Sequence, residues 1–362
     1  MAHSDRRPAA FVLAVILGVG IGLSATQLFS PLALRWLAFG NAGSEGAAAS
    51  LASLARKRAG TSPTQPTTPV WDGRAVIDPA APANLSICRW RTANWVSIVP
   101  VSEVCIRTPG DLLSDIVFAE GHWRDCEILV RILDGARPHP PGAIFVEAGA
   151  NIGMCTVRVA SLDVATIAFE PLPANLFYLT SSLMRNPSLK ALVTLHAVGL
   201  SEAPGTAVMY SQANNYGNSV IGQPLADNPN DANMVAEMRK RASTITLSTL
   251  DSELWPDASL PPPLILLLKI DVQGFEVHAF RGAARLFAAC AIKRIKSEMD
   301  FGFLRGAGTP AEQYCALLRE HGFVLYTESG APVMCGEGIG GAQEFIALLD
   351  KNECARRHPK VL

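Results

Sequence analysis

No Cys-x-x-Cys pair occurs among the eight cysteines of this 362-residue chain, and no two histidines stand four residues apart, so the ligand spacing of a zinc site is missing. Cysteine is also too dilute for a disulfide scaffold, although one or two bridges would suit a domain facing an oxidising compartment. Charge is scarce too. Lysine and arginine number 31 against 32 acids, a net charge of −1, and only 17% of residues are charged, so no overall field draws the chain to nucleic acid. An apolar fraction of 49% excludes disorder of the whole chain.

The N-terminus is uniformly apolar. From Pro8 to Leu34 no residue is charged, and after a short tail (1–8) the segment 9–29 is long enough to cross a bilayer as a transmembrane helix. Arg6 and Arg7 precede it and only Arg35 lies close behind, which favours a cytoplasmic N-terminus with the remainder in the lumen or exterior. The competing reading is a signal peptide cut near Ala25, leaving a secreted chain. Residues 30–70, rich in Ala, Gly, Ser, Thr and Pro, read as a flexible stalk in which Arg56, Lys57 and Arg58 form a solvated run. Asn84-Leu-Ser86 is an N-glycosylation sequon if this side is lumenal.

Beyond residue 70, apolar runs alternate with helical patterns, the rhythm of an α/β domain whose mostly parallel sheet is covered by helices on both faces. Strands are expected at Ala143 to Ala148, Thr166 to Phe169, Leu192 to Ala197, Leu264 to Asp271, Ile292 to Glu298, Phe323 to Thr327 and Glu344 to Asp350. Helices are expected at Ile152 to Ala160, Pro173 to Arg185, Phe275 to Ala289 and Pro310 to His321. Residues 71–142, with an acidic, Trp-bearing stretch from Glu120 to Glu127, read as an N-terminal cap on a catalytic domain at 143–351, and 352–362 as a solvated basic tail.

In an open α/β sheet, ligands bind outside the carboxyl ends of the strands, where the chain crosses from one face to the other. The first expected strand ends in Glu147-Ala-Gly149-Ala-Asn151-Ile-Gly153 and turns straight into a helix. Glycines there let backbone approach a ligand, and the helix start offers free amides. The third glycine of Gly-x-Gly-x-x-Gly is missing, and an acid before the turn repels phosphate but attracts a cation such as an amino acid's ammonium group. The second strand ends in Glu170, where a carboxylate can accept both ribose hydroxyls. A phosphate-free nucleoside carrying positive charge fits this pattern, and S-adenosylmethionine is the common metabolite of that description.

Four motifs carry a family resemblance: Phe145-Val-Glu-Ala-Gly-Ala-Asn-Ile-Gly153, Ala168-Phe-Glu-Pro-Leu-Pro173, Leu195-His-Ala-Val-Gly-Leu-Ser201 and Leu268-Lys-Ile-Asp-Val-Gln-Gly-Phe-Glu276, the last followed by Gly282-Ala283. In this order they resemble the FkbM-type methyltransferases over about residues 110 to 330. The resemblance implies the class I, Rossmann-like fold, S-adenosylmethionine as cofactor, and O-methylation of sugars or other hydroxyl compounds. The chain departs from the pattern at Gln273, where the family more often has Glu, which removes a carboxylate beside Asp271 and speaks against a metal role there.

In the fourth motif, side chains alternate, so Lys269 and Asp271 share a face, and a lysine entering so apolar a strand needs Asp271, Glu147 or Glu298 as partner. An alcohol acceptor must lose a proton, and the expected catalytic set is Asp271 first, with Lys269 and Glu298. His196, Glu276 and His278 are secondary. The polar segment Gln212 to Asn233 reads as a binding loop whose Asn215, Tyr216 and Asn218 would hydrogen-bond a hydroxyl-bearing acceptor. No Pro-Pro-Tyr follows the fourth strand, which argues against methylation of nucleic-acid bases. An NAD-dependent oxidoreductase on the same fold and an inactive binding module are the rival readings, while the absence of Asp-x-Asp speaks against a glycosyltransferase. A single-pass anchor with a lumenal domain, as in the Golgi or endoplasmic reticulum, requires the donor to be delivered there.

Overall fold

The computed structural model describes residues 70–77, 88–107, 110–225, 231–335 and 342–357. The expected anchor at 9–29, the stalk up to residue 69 and the Asn84 sequon lie outside the described residues. Among the described residues no helix is long and apolar enough to cross a membrane.

The cap region opens with an antiparallel pair, Arg89–Arg91 (β1) and Val104–Ile106 (β2), followed by helices Leu112–Glu120 and Arg124–Asp134. Next come Ala143–Ala148 (β3), Thr166–Phe169 (β4) and Val193–His196 (β5), then a stretch with Gly199–Leu200 (β6), Gly205–Tyr210 (β7), Val220–Ile221 (β8) and Ala242–Ser248 (β9). Leu264–Ile270 (β10), Arg294–Asp300 (β11), Phe323–Thr327 (β12) and Ala342–Leu349 (β13) complete the strands.

Seven of them form one sheet in the order β12-β13-β11-β10-β3-β4-β5. β3, β4, β5, β10 and β11 pair in parallel, and β13 runs antiparallel to both its neighbours. Strands covered on both faces must be apolar throughout, which is why Ile144 to Val146 and Ile265 to Leu268 are continuous hydrophobic runs. The core continues from these strands through Phe280, Phe287 and Tyr314 of the covering helices. Its order from β5 to β11 is the doubly wound 3-2-1-4-5, and the direction of winding reverses between β3 and β10. That junction is where a ligand crevice belongs.

Three expectations about the elements are corrected. The segment Gln212 to Asn233 is not loop throughout: it contains β8 and the start of helix Ala232–Lys240, and β8 joins β6, β7 and β9 in a second, four-stranded sheet of order β6-β9-β7-β8. In β9 the alternation that buries Ile245 and Leu247 between exposed threonines is a strand signal hidden by its polar composition. The helix expected at 275–289 is two, Glu276–Arg281 and Ala284–Ala288, parted at Gly282, where a Cβ would stand 2.1 Å from the Ser201 carbonyl oxygen. The basic tail begins as a helix, Lys351–Arg357, in which Arg356 and Arg357 pair with Glu353 and Cys354 is buried.

All eight cysteines are paired, where one or two bridges were expected: Cys88–Cys105, Cys126–Cys155, Cys290–Cys354 and Cys315–Cys335. They tie β2 to the preceding segment, the two helices flanking β3 to each other, and both ends of the C-terminal third. Thiol titration of the native chain is expected to find no free thiol, with non-reducing peptide mapping returning these four pairs; any other pairing contradicts the packing described here.

Candidate active site

A cavity of about 270 Å³ opens at the β3/β10 junction. The parallel register sets Lys269 beside Glu147, so the two strand ends deliver opposite charges to one point. Lys269 Nζ lies 3.6 Å from Glu147 Oε1 and 3.4 Å from Asp271 Oδ2, and it donates to the Gly149 carbonyl at 2.9 Å. Burial works against the ammonium, but Asp271 and Glu147 outweigh it and hold the amine above its ordinary value. Glu147 is buried; Thr156 donates to its second oxygen at 2.6 Å. Its nearest cationic side chain is Lys269.

Glu170 ends β4 and is 3% exposed. Asn151 N donates to its Oε2 at 2.8 Å, and Leu172 N to its Oε1 at 2.9 Å. This acid therefore braces both turns that frame the cavity, a task its sequence position did not reveal. Burial pushes Glu170 up to about 7 against those donors. Glu276, whose Oε1 accepts from Val272 N and Gly274 N, is likewise pushed up to about 7, mainly by burial. The fold then holds protons that the unfolded chain, with carboxylates near 4.5, has released. Their contribution to stability is fullest at low pH and declines as pH rises from about 4.5 to about 7. A Glu276→Gln variant is expected to show a flatter dependence of Tm on pH across that window; an unchanged slope contradicts the assignment.

Glu147, Gly149, Asn151, Glu170, Asn215, Tyr216, Asn218, Lys269, Asp271 and Glu298 all lie on the cavity wall. Gly153 does not. Its φ is +85°, and a Cβ there would stand 2.1 Å from Leu179 Cδ1, so it serves the packing of the helix after β3 on helix Pro173–Arg185. His196 is also off the wall, buried with Nδ1 2.7 Å from Glu253 and its ring stacked on Phe169. His278 stacks on Phe275. Gln273, in the left-handed region at φ +52°, donates from Nε2 to Asp271 Oδ1 at 2.6 Å.

Wall residues that sequence reasoning passed over are Trp123, Asp125 and Glu344. The acidic stretch around Trp123 was the visible signal for two of them. A further group works from behind. Buried Asp111 caps helix Leu112–Glu120 through Ser114 and accepts from Tyr216 N at 3.0 Å, while the Arg107 guanidinium lies 3.7 Å from the Tyr216 ring centroid. Arg107 also donates to Asn175 Oδ1 at 2.6 Å, and Asn175 contacts Glu170 at 3.4 Å. Asp111→Ala removes a helix cap and the tie to Tyr216 together, with an expected loss of about 1–2 kcal/mol. Faster amide exchange confined to 214–219 is the measurement that checks it.

The charges on the wall decide what the cavity suits. Asp125, Glu147, Glu170, Asp271, Glu298 and Glu344 face it, and Lys269 is the one cationic residue lining it among the described residues. Six acidic side chains and one lysine leave the wall without the cluster of cationic groups that a pyrophosphate needs. Residues 147–325 match the methyltransferase FkbM domain.

This chain carries an FkbM methyltransferase domain.

Its cofactor is S-adenosylmethionine, and the acid-rich, phosphate-hostile wall fits a positively charged nucleoside. No curated protein matches the chain. Among solved structures, it is similar to a methyltransferase FkbM from Methylobacillus flagellatus (17% identity, TM-score 0.32), covering 56% of this chain and 43% of that one, so it spans less than half of that protein's length. It is also similar to magnesium protoporphyrin IX methyltransferase from Synechocystis with bound S-adenosylhomocysteine (10% identity, TM-score 0.33, 63% and 82% covered). A TehB-like methyltransferase from Corynebacterium glutamicum gives 12% identity and a TM-score of 0.32, with 65% and 94% covered.

Proposed function

We propose that this FkbM-domain protein transfers a methyl group to the hydroxyl of a sugar, glycan or small alcohol. The observation that carries the reading is the cavity at the β3/β10 junction, whose wall brings together the Glu147–Lys269 pair, Glu170, Asp271 and Glu298. Bound S-adenosylmethionine supplies an electrophilic methyl group on a sulfonium. Glu170, Asn151 and Gly149 would hold the nucleoside end, and Tyr216 with Asn215 and Asn218 would hydrogen-bond the acceptor. What the residues contribute is chiefly alignment, since near-attack positioning accounts for much of the acceleration such displacements need. A hydroxyl acceptor also needs a proton acceptor within hydrogen-bond reach, and the carboxylates on the cavity wall provide one.

Incubation with methyl-labelled donor and a panel of glycans, lipids and small alcohols tests this directly. Label is expected in an alkali-stable ether of a hydroxyl compound. Label in an amine, or in nucleic acid, would defeat the assignment to oxygen.

We also propose that segment 9–29 anchors the chain with the FkbM domain on the non-cytoplasmic side. Four bridges using every cysteine support an oxidising compartment. Glycosidase treatment of the expressed chain is expected to shift its mobility through Asn84; protease accessibility from the cytoplasmic face would place the domain on the other side.

A further inference from the structure

The acids around the cavity differ in how they are held. Glu147 is taken by Thr156 and Lys269, and Glu170 by two backbone amides. Asp271 accepts from Gln273 and lies against Lys269, and Glu344 pairs with Lys296. Asp125, in the first turn of helix Arg124–Asp134, meets the positive end of that helix. Glu298 differs from all of these. It lies at the carboxyl end of β11, half-buried on the cavity wall, directly opposite Glu344 across the β11/β13 ladder. Lys296, two residues earlier on the same face, is spent on Glu344 and Glu328.

We propose that Glu298 is the catalytic residue that receives the acceptor hydroxyl's proton, and that Asp271, held by Gln273 and Lys269, is a positioning residue beside it. The inference rests on the methyl-transfer reading and sharpens it. In the step, the acceptor O–H bond breaks, its electron pair stays on oxygen, and an O–H bond forms on the Glu298 carboxylate. Charge balances overall: a sulfonium donor and a neutral alcohol become a neutral thioether, an ether, and the proton that Glu298 passes to water.

The setting matches the task. The groups around Glu298 are Asp271 at the end of β10, Glu276 on the helix that follows β10, Glu344 on β13 and Asp300 on its own strand, with Lys269, Lys296 and Asp125 on the recess they share. Burial, reinforced by the four acids, pushes Glu298 up to about 8. Its basic form therefore gains population as pH rises through about 8, and the rate should rise with it. Asp271 already accepts a hydrogen bond from Gln273 Nε2 and lies 3.4 Å from Lys269 Nζ, so its oxygens are engaged by neighbours of its own chain.

The experiment uses the full-length chain, with glycerol as probe acceptor, labelled S-adenosylmethionine, and the variants Glu298→Gln and Asp271→Asn. Calorimetry with S-adenosylhomocysteine comes first: no binding to the unaltered chain overturns the methyl-transfer reading and the proposal with it. Given binding, Glu298→Gln is expected to lower kcat for glycerol by about 100-fold or more with little change in KM, and to lose the rise near pH 8. Asp271→Asn should keep that rise and move it to lower pH, because one of the repelling acids is gone. The opposite pattern, with the rise kept in Glu298→Gln and lost in Asp271→Asn, overturns the proposal while leaving methyl transfer intact. Infrared titration of glutamate-labelled protein gives a readout without turnover. A protonated carboxyl band titrating near 8, absent in Glu298→Gln and shifted to lower pH by glycerol, is expected. A band that persists in Glu298→Gln, or that glycerol leaves unmoved, decides against it even if glycerol is not methylated.

Discussion

Replacing Gly149 with alanine is expected to leave the protein severely destabilised, with Tm lowered by about 10 °C. The residue sits at φ +83°, where an L side chain is strained, and a Cβ would stand 1.9 Å from the Asp271 carbonyl oxygen. The obstacle is backbone, so no rotamer change relieves it. The two strand ends are already locked there: Asp271 N donates to the Ala148 carbonyl, and Gly149 N and Ala150 N share that of Phe169. Strain in the left-handed region costs about 1–2 kcal/mol and overpacking about 1–3 kcal/mol, a large part of the roughly 5–15 kcal/mol that holds a domain folded. Thermal unfolding by circular dichroism reads the effect; a Tm within 2 °C of the parent on the scale set by domain size would show that the β3 turn can move away from β10.

The second large effect belongs to Glu170→Ala. The variant strips the acceptor from the Asn151 and Leu172 amides, and each buried N–H left unpartnered costs about 1–3 kcal/mol. Both amides belong to turns on the cavity wall, so the loss falls on the site as well as on stability. Affinity for S-adenosylhomocysteine is expected to drop by about 100-fold or more. Glu170→Gln keeps one carbonyl acceptor and should fall between the parent and the alanine variant. Equal affinity in all three would remove Glu170 from any part in holding the nucleoside.

The parts of the fold legible in the sequence were those where burial on both faces forces a composition. Ala143–Ala148 and Thr166–Phe169 are strands with the bounds their apolar runs suggest, and Pro173–Arg185 is a helix that starts at its proline. Where a strand has one wet face the signal thins: Ala242–Ser248 reads as a polar segment although it pairs along its whole length with Gly205–Tyr210. Of the site, Glu147, Glu170, Asp271 and Glu298 at strand ends fell on the cavity wall because strand order determines where those ends lie, whereas His196 at the end of β5 packs against Phe169 and Glu253 instead. Gly153 did not, since a glycine required by a packed leucine looks the same in sequence as one required by a ligand. Glu344 and Asp111 were invisible for another reason: their places depend on an antiparallel register and on a contact between the cap and a distant turn. Pairing of the cysteines is likewise a matter of which helices come to lie side by side.

The most direct test of the whole account is a calorimetric titration of the full-length chain with S-adenosylhomocysteine, alongside one with NAD. Saturable binding of the sulfur nucleoside, competed by S-adenosylmethionine and with no heat from the dinucleotide, is the expected result. Saturation by NAD with none by S-adenosylhomocysteine would mean that the acid-lined cavity between β3 and β10 does not exclude phosphate and that the methyl-transfer reading is wrong.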